Sequence, residues 1–486
     1  MAVYLHLFET EAQFQDKRTN DYYEPWVSLT EESNDRIDYN KTEDEKLLGT
    51  PFTIEALGSG NITWSLGSLT VQYSKNGGSW ETMNSGTTIS VVEGDKVQFK
   101  GNNSSYSYYD EDEEDEIGYS LNSTVDCNVY GNIMSLTDGD NFENTNTVNE
   151  HAFHSLFYDY WTENSFRVVN AKNLKLPATT LANYCYSSMF RNCTSLTKAP
   201  ELPATTLADS CYSGMFGGCT GLTTAPELPA TTLASYCYSN MFRGCTSLTT
   251  VPALPATTLA INCYYYMFNG CTSLTTAPEL PATTLASYCY SGMFNGCTSL
   301  TTAPELSTTT LAVACYANMF QGCTSLTTAP ELPATALSGS CYNYMFSGCT
   351  SLTTAPELPA TTLATYCYAN MFGGCTSLTT APALSATTLA SYCYSNMFNG
   401  CTSLTTAPVL PATTLVSRCY NGMFQGCNNL NYIKAMFTTT PSTTYTNNWV
   451  NGVASTGTFV KNTSATWTTT GNHGVPTGWT VQTASS

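Results

Sequence analysis

Pairs of cysteines separated by seven residues recur through the second half of the chain. In the segment CYSGMFNGC the pair is Cys289 and Cys297, and the first cysteine of each pair returns at a constant interval from Cys185 to Cys419. Thiols at a fixed spacing can form disulfides, bind metal ions or act as nucleophiles. Each of these chemistries requires particular residues near the cysteines, so the surrounding sequence can distinguish between them.

Histidines and cationic residues are scarce around these cysteines. Zinc sites usually combine C-x2-C pairs or cysteine with histidine, whereas the four histidines of the chain all lie outside the repeated region. A thiolate nucleophile needs a nearby base or cation, and Lys and Arg are nearly absent from the repeats. We therefore expect no metal ion, no cofactor and no catalytic residue.

Disulfides are the third alternative. If residues 289–297 formed a continuous helix, Cys289 and Cys297 would lie about 12 Å apart along its axis, beyond the limit of about 7 Å between the Cα atoms of a disulfide. Gly296 relaxes that geometry, and disulfides between equivalent cysteines of adjacent repeats are feasible at about 5 Å. They would also need an oxidising compartment. The favoured interpretation is free, buried thiols, because free cysteine is among the most buried residue types.

The elements that position these cysteines repeat with them. From Cys185 onward, ten 26-residue units follow the consensus C-Y-x-x-M-F-x-G-C-T-S-L-T-T-A-P-E-L-P-A-T-T-L-A-x-x without insertion or deletion. A period of about 20 to 29 residues with leucine at fixed offsets is typical of a leucine-rich-repeat solenoid. The predicted fold class is therefore mainly β with short helices, a solenoid of ten units with capping units at its ends.

Within one unit we predict a helical turn, a short strand and two corners. Tyr290, Met293 and Phe294 are spaced for one turn of helix. Gly296 then ends this turn, and residues 300–302 are β-prone. Prolines mark the corners, and the leucine, methionine and phenylalanine side chains are expected to point inward, where only stacked coils can bury them.

The front of the chain is organised differently. The segments PFTIEAL, NITWSL, LTVQYS, TTISVV and KVQFKG alternate in polarity and are separated by turn residues, which predicts a small Ig-like β-sandwich. The acidic run DEDEEDE at 110–116 is expected to be a charged loop, too repulsive to be a strand. The predicted domains are a leader and anchoring segment at 1–49, the Ig-like β domain with its acidic loop at 50–142, an N-terminal cap with a first degenerate repeat at 143–184, the solenoid at 185–436, and a C-terminal β cap at 437–486.

Charge is concentrated in the front of the chain, at positions 1–170. The formal net charge is −20, and this front holds 30 Asp and Glu against 9 Lys and Arg. An acidic front repels nucleic acid, whose recognition needs clustered Lys and Arg. No stretch approaches the roughly 18–20 apolar residues of a membrane span, and the opening MAVYLHLFETEAQ lacks the pattern of an export signal. We expect no nucleic-acid binding, no membrane insertion and no export by the ordinary route.

The carboxylates of the repeats form a row. Acid–base catalysis needs carboxylates that converge on a cleft, whereas these share one position beside a proline corner and should aid solubility. We therefore expect that the protein is not an enzyme. The row consists of Glu201, Glu227, Glu279, Glu305, Glu331 and Glu357.

Variation between the repeats is concentrated beside Cys-Tyr and after Phe. Tyrosine offers a large contact area at low entropic cost, and interfaces are enriched in Tyr and Arg. These positions are predicted to face a ligand, although drift of exposed positions explains the variation as well. The predicted ligand-facing residues are Tyr184, Tyr236, Tyr265, Tyr266, Tyr288, Tyr344, Tyr366, Tyr392, Arg191 and Arg243, with Arg418 at an equivalent place.

The phrases MFNGCTSLTTAPELPATTLA and MFRGCTSLTTVPALPATTLA resemble the BspA-like leucine-rich repeats of surface proteins from gut Bacteroidetes. The resemblance spans residues 150–440 and implies an adhesive or ligand-binding solenoid, with no active-site residues to carry over. The opening segments YLHLFETEAQFQDKR and EPWVSLTEE resemble leaders of virion proteins of phages that infect such bacteria.

Together these features predict a non-enzymatic virion surface protein, either a fibre or a capsid-decoration protein. We expect the N-terminal region to bind other virion proteins and to support a homo-oligomer. The solenoid would then bind a glycan or protein on a host-cell or mucosal surface. The protein would be made in the host cytoplasm and end on the virion surface. The alternative is a BspA-like adhesin on the bacterial cell surface.

Overall fold

The computed structural model describes residues 42–110, 115–159 and 165–484. The chain divides into two compact units, Met1–Lys46 and Leu47–Ser486. Most of the predicted leader and anchoring segment therefore lies outside the described residues. A capping box begins helix α1 (Glu43–Leu48). The Thr42 N–H donates to the Glu45 carboxylate over 2.7 Å, and the Glu45 N–H donates to the Thr42 hydroxyl over 3.2 Å.

The other regular elements are short. The further helices are α2 (Ser135–Asp138), a 3-10 helix at Gly139–Asn144, and α3 (Thr443–Thr446). The strands are β1 (Thr53–Ala56), β2 (Gly60–Trp64), β3 (Val71–Lys75), β4 (Glu81–Met83), β5 (Thr88–Val91), β6 (Lys96–Gly101), β7 (Ser107–Asp110), β8 (Asp115–Gly118), β9 (Leu121–Ser123), β10 (Cys127–Asn132), β11 (Val168–Asn170), β12 (Leu174–Lys175), β13 (Tyr432–Ala435), β14 (Thr458–Lys461) and β15 (Thr480–Thr483).

Two sheets enclose the core of the front region. The larger sheet has the order β11-β10-β1-β6-β3-β4, with β12 also paired to β10, and the smaller has the order β5-β2-β9. Burial alternates along β6, where Val97 and Phe99 point inward. Trp64 of β2 meets Phe99 edge-on, with ring centroids 5.5 Å apart. The two sheets therefore share one apolar core.

All five segments predicted as strands contain strands, namely β1, β2, β3, β5 and β6. The Ig-like topology itself stays a prediction. Most pairs are antiparallel, but β10 pairs in parallel with β11 and β12. Asn170 of β11 also bridges to Lys198 of the next coil. The larger sheet thus continues into the repeats, and one buried core runs from Phe52 to Trp479.

The acidic run at 110–116 differs from the expected loop. Asp110 ends β7, and Asp115 and Glu116 begin β8, which pairs with β7 as a hairpin. The run therefore enters strands at both ends, and residues 111–114 lie outside the described residues. Strand pairing uses backbone N–H and C=O groups, so a high density of charge in the sequence does not exclude it.

The predicted helical turn of each repeat is wrong. Residues 287–296 form a run of overlapping turns. Alternate N–H groups bond within the coil, as from Met293 to the Tyr290 carbonyl at 3.2 Å, and those between them bond to the next coil, as from Phe294 to the Met319 carbonyl at 2.9 Å. A helix directs all its N–H groups within itself, so stacking replaces half of the local hydrogen bonds.

Strand pairing within the coils is reduced to single bridges. Thr302 bridges to Thr328 of the next coil, and Thr310 bridges to Ala336. Leu300, next to the first of these bridges, is fully buried as predicted. Neighbouring coils are therefore held together by the turn runs and, at most junctions, by bridges on two lines.

Aromatic side chains form columns inside the stack. Tyr290 lies 5.9 Å from Tyr316 between ring centroids, and Phe294 lies 5.7 Å from Phe320, with ring planes within 7° of parallel. Because a buried aromatic ring removes roughly 150–250 Å² of surface from water, these columns supply much of the burial that no single coil achieves alone.

The C-terminal segment continues the core and closes it. Strands β13, β14 and β15 form a parallel sheet. Trp449 packs edge-on against Phe459, with ring centroids 6.1 Å apart, and its indole N–H donates to the Gly474 carbonyl over 3.0 Å. Trp467 donates in the same way to the Phe437 carbonyl over 3.1 Å. Large rings with satisfied N–H groups thus cover the end of the aromatic columns.

Candidate functional site

The thiols lie inside the stack. All 21 cysteines are free and buried, which confirms their predicted burial. Burial raises the pKa of Cys297, and that of Cys315, to about 12. A thiol with this pKa holds almost no thiolate at neutral pH, so it is a poor nucleophile. Within the described ranges, no group of His, Cys, Asp and Glu residues is arranged to hold a metal ion.

The residues before the first cysteine of each coil lie on one line, which we call the tyrosine ridge. Its tyrosines are exposed or half-buried, whereas Ser210, Asn262 and Ala314 are buried. Its tyrosines are among the few large apolar side chains at the surface, with Tyr236 45% exposed and Tyr288 43% exposed. The ridge residues, in order, are Tyr184, Ser210, Tyr236, Asn262, Tyr288, Ala314, Ser340, Tyr366, Tyr392 and Arg418.

Every ridge residue has a left-handed backbone. Tyr236 has φ of 56° and Tyr288 has φ of 58°, a conformation that costs a bulky side chain roughly 1–2 kcal/mol. The same conformation occurs eight residues later, at the position of Gly296, and there nine of the ten coils have glycine. No coil has glycine on the ridge. A side chain is therefore kept at these positions against the local backbone preference, which points to function.

The two ends of the ridge are closed by stacked groups. The His151 ring lies parallel to that of Tyr184, with centroids 4.7 Å apart. At the other end Tyr366 stacks on Tyr392 at 4.3 Å, and the Arg418 guanidinium lies 5.5 Å from the Tyr392 ring centroid. Burial and the hydrogen bond with Tyr392 raise the pKa of Tyr366. At both ends of the ridge, the side chains are therefore stacked on neighbouring groups.

The remaining predicted site residues lie elsewhere on the coils. Tyr266 and Tyr344 occupy a second left-handed position, four residues after the ridge. Tyr265 packs edge-on against Tyr266 at 4.6 Å. Arg243 is exposed and lowers the pKa of Tyr266, whose dominant shift is upward through burial. These residues are not part of the ridge.

Arg191 is also off the ridge, and its guanidinium lies 5.3 Å from the ring centroid of Tyr158. The structure therefore brings together five of the ten predicted residues, Tyr184, Tyr236, Tyr288, Tyr366 and Tyr392, on one line. It adds His151, whose ring stacks on that of Tyr184. In the sequence, the five tyrosines share one property, since each directly precedes the first cysteine of a pair. His151 lacks this signal because it lies before the first cysteine pair.

A polar cavity of about 860 Å³ lies between β9 and the first coils, beside Asn122, Arg167 and Thr194. The Arg167 guanidinium is paired with Asp126 over 2.8 Å. Its charge is therefore already paired with that of Asp126. The ridge is the better candidate site.

A family-level comparison matches the region of the coils. The sequence model described as BspA type leucine rich repeat region matches residues 121–223, 212–333 and 313–449, in six copies. Comparisons with curated proteins and with solved structures give no match. No helix in the described part of the chain has the length and apolar character needed to span a bilayer.

Proposed function

The chain belongs to the BspA-type leucine-rich repeat family, and we propose that it is a non-enzymatic adhesive protein on the surface of a phage virion. The family is typical of surface-associated, adhesion-type repeat proteins. In this proposal the stacked coils are a solenoid displayed for contact with a host-cell or mucosal surface. The observation that carries the adhesive role is the tyrosine ridge, where bulky side chains stay exposed on a left-handed backbone.

The chemistry of the ridge suits binding. Tyrosine is enriched at binding hot spots because it combines a large apolar ring with a hydroxyl and few rotatable bonds. Tyr236 and Tyr288 contribute this area without being needed to fill the core. The non-catalytic part of the proposal is supported by the raised pKa of the buried thiols, such as Cys297.

The virion location is supported by the state of the cysteines. Buried free thiols in adjacent coils suit a protein that folds in a reducing compartment, such as the host cytoplasm where virions assemble. The N-terminal region would bind other virion proteins, and the protein would act as a homo-oligomer. The second candidate is an adhesin of the bacterial cell surface, which the family match favours.

The adhesive role is tested with a five-fold variant in which Tyr184, Tyr236, Tyr288, Tyr366 and Tyr392 become Ser, the residue that other coils have at this position. Adhesion of the full chain to host cells and to mucin-coated plates should fall by roughly tenfold or more. Unchanged adhesion with an intact fold would contradict the proposal. Location is tested by mass spectrometry of purified particles, where stoichiometric copies support the virion and recovery only from bacterial envelopes supports the cell surface.

A further inference from the structure

Ridge tyrosines in the first half of the stack alternate with small residues. Tyr184, Tyr236 and Tyr288 lie two coils apart, and Ser210 and Asn262 occupy the coils between them. Both intervening residues are buried, with Asn262 only 8% exposed, whereas the tyrosines on either side of them are exposed. The alternation therefore leaves two slots, one between Tyr184 and Tyr236 and one between Tyr236 and Tyr288.

The stacked pairs at the two ends of the ridge show the orientation of aromatic rings at these positions. The His151 and Tyr184 rings face each other within 6° of parallel, and Tyr366 and Tyr392 within 21°. The ring faces at these positions thus point along the stacking direction. Within the described chain, Tyr236 contacts no other ring. A Tyr236 ring with the same orientation presents one face to each slot.

The width of a slot favours a puckered ring. Since paired strands lie about 4.8 Å apart, rings two coils apart are separated by roughly 9–10 Å. A flat aromatic group in van der Waals contact with both walls needs only about 7–8 Å. A saturated six-membered ring, whose axial hydrogens project from both faces, fills the larger gap better.

The residues between the slot walls are polar, Ser210 in the first slot and Asn262 in the second. The exposed Asp209 carboxylate beside Ser210 accepts a hydrogen bond from the Ser235 N–H at 3.0 Å. Beside Asn262 the equivalent residue is the exposed Ile261, so the first slot has the more polar floor. Apolar walls with a polar floor match a sugar ring, which has C–H groups on its faces and hydroxyl groups on its rim. A proline ring, the other saturated ring that tyrosines often enclose, would place apolar carbon on this floor.

The charge around the slots favours a neutral ligand. Asp209 would repel an acidic sugar at the first slot. From Ser235 to Tyr366, no residue directly before or after a ridge residue in the sequence is charged. The two slots are separated by the Tyr236 ring, so adjacent sugars of a chain, which are linked edge to edge, cannot fill both. A polysaccharide that passes around this ring, or that carries branches, would place two separate sugar rings in the slots, with the gain in avidity that linkage brings.

We propose that the ridge binds a neutral polysaccharide, with one sugar ring held between Tyr184 and Tyr236 and another between Tyr236 and Tyr288. This inference rests on the proposed adhesive function and names its ligand class. It also accounts for the tyrosines at positions 184, 236 and 288, because a smaller residue there would remove a slot wall.

The test uses the full chain in affinity gel electrophoresis with mannan, a mixed-linkage β-glucan, hyaluronan and decaproline. Binding to a neutral polysaccharide should weaken roughly tenfold or more in the double variant Tyr236→Asn with Tyr288→Asn, which installs the residue found at Asn262. The matched control is Tyr344→Asn, which removes an exposed, left-handed tyrosine outside the slots and should bind normally. Tyr236→Phe, which keeps the ring, should bind within a few-fold of the wild type.

Several outcomes would overturn the inference: no binding to either neutral polysaccharide, retention of binding in the folded double variant, or preference for hyaluronan or decaproline. Adhesion to host cells and mucin is measured on the same samples. If adhesion persists while neutral polysaccharides do not bind, the ligand class is wrong and the adhesive function stands. If the wild type shows neither activity, both proposals fail.

Discussion

The Sγ atom of Cys297 lies 3.1 Å from the carbonyl oxygen of Phe268 in the preceding coil. The equivalent thiol of the next coil, Cys323, makes the same contact with Phe294 at 3.1 Å. A thiol is a weak donor, so each contact adds little energy alone. The contact recurs at the second cysteine of successive coils. This column of cysteines therefore links each coil to the preceding one and gives core-facing carbonyl groups a hydrogen-bond donor.

The buried tyrosine column contains hydroxyl groups with different surroundings. The Tyr212 hydroxyl has no hydrogen-bond partner among the described residues, whereas that of Tyr316 bonds to Thr308. Removing a buried unpaired hydroxyl relieves a desolvation cost, so Tyr212→Phe should raise the free energy of unfolding by about 1 kcal/mol. Urea unfolding followed by circular dichroism measures the change.

Tyr316→Phe is the matched control, because it removes a paired hydroxyl from an equivalent place in the stack. We expect it to lower the free energy of unfolding by up to about 1 kcal/mol. Equal effects of the two substitutions would show that the hydroxyl environments do not differ as described.

Gly131 lies where the backbone of β10 passes close to that of Pro51. It lies in β10 with φ of 81°, and a Cβ atom there would meet the backbone carbonyl oxygen of Pro51. Backbone atoms cannot swing aside as a side chain can, so Gly131→Ala should lower the free energy of unfolding by about 3 kcal/mol or more. Gly77→Ala, at φ of 72° with open space around it, should cost only about 1 kcal/mol. Similar thermal unfolding midpoints for the two variants would contradict the predicted steric conflict.

Asp95 should make the front region sensitive to acid. Hydrogen bonds from Lys75 at 2.7 Å, Asn76 at 2.8 Å and the Val92 N–H at 2.9 Å lower the pKa of Asp95 to about 2. Because this folded-state pKa lies below the ordinary value of 3.8, the carboxylate stabilises the fold fully above about pH 4. That contribution is lost as the pH falls from about 4 towards 2.

The measurement is the urea midpoint of the wild type and of Asp95→Asn between pH 7 and pH 2.5. The wild type should lose more stability over the acid range than the variant, because only the wild type takes up a proton at this site. Parallel pH profiles would refute the role assigned to Asp95.

Much of the stack could be predicted from periodicity. The constant repeat length placed the cysteines, and the burial of Leu300 followed from the fact that a single coil cannot cover it. The helical turn at Tyr290 was predicted wrongly for a physical reason. Its spacing fits a helix, but half of the N–H groups bond to a carbonyl of the next coil, and local spacing carries no information on that partner.

The ridge was predicted only in part. Variation between repeats located the tyrosines, but it grouped Tyr184 with Tyr265 and Tyr266, which lie on other lines. The property that separates them is the sign of φ together with the position in the coil, and tyrosine itself gives no hint of a left-handed backbone. His151 was missed as a ridge residue because its coil lacks the cysteines that mark the register.

The account depends on the claim that the thiol and aromatic columns are structural and that function lies on the exposed ridge. Counting reactive thiols with Ellman's reagent at pH 8, before and after denaturation in guanidinium chloride, tests this claim most directly. Because the thiols are buried and their pKa values are raised, we predict that at most about two of the 21 cysteines react in the native protein within an hour and that all react once it is unfolded. Rapid labelling of most thiols in the native protein would contradict the account.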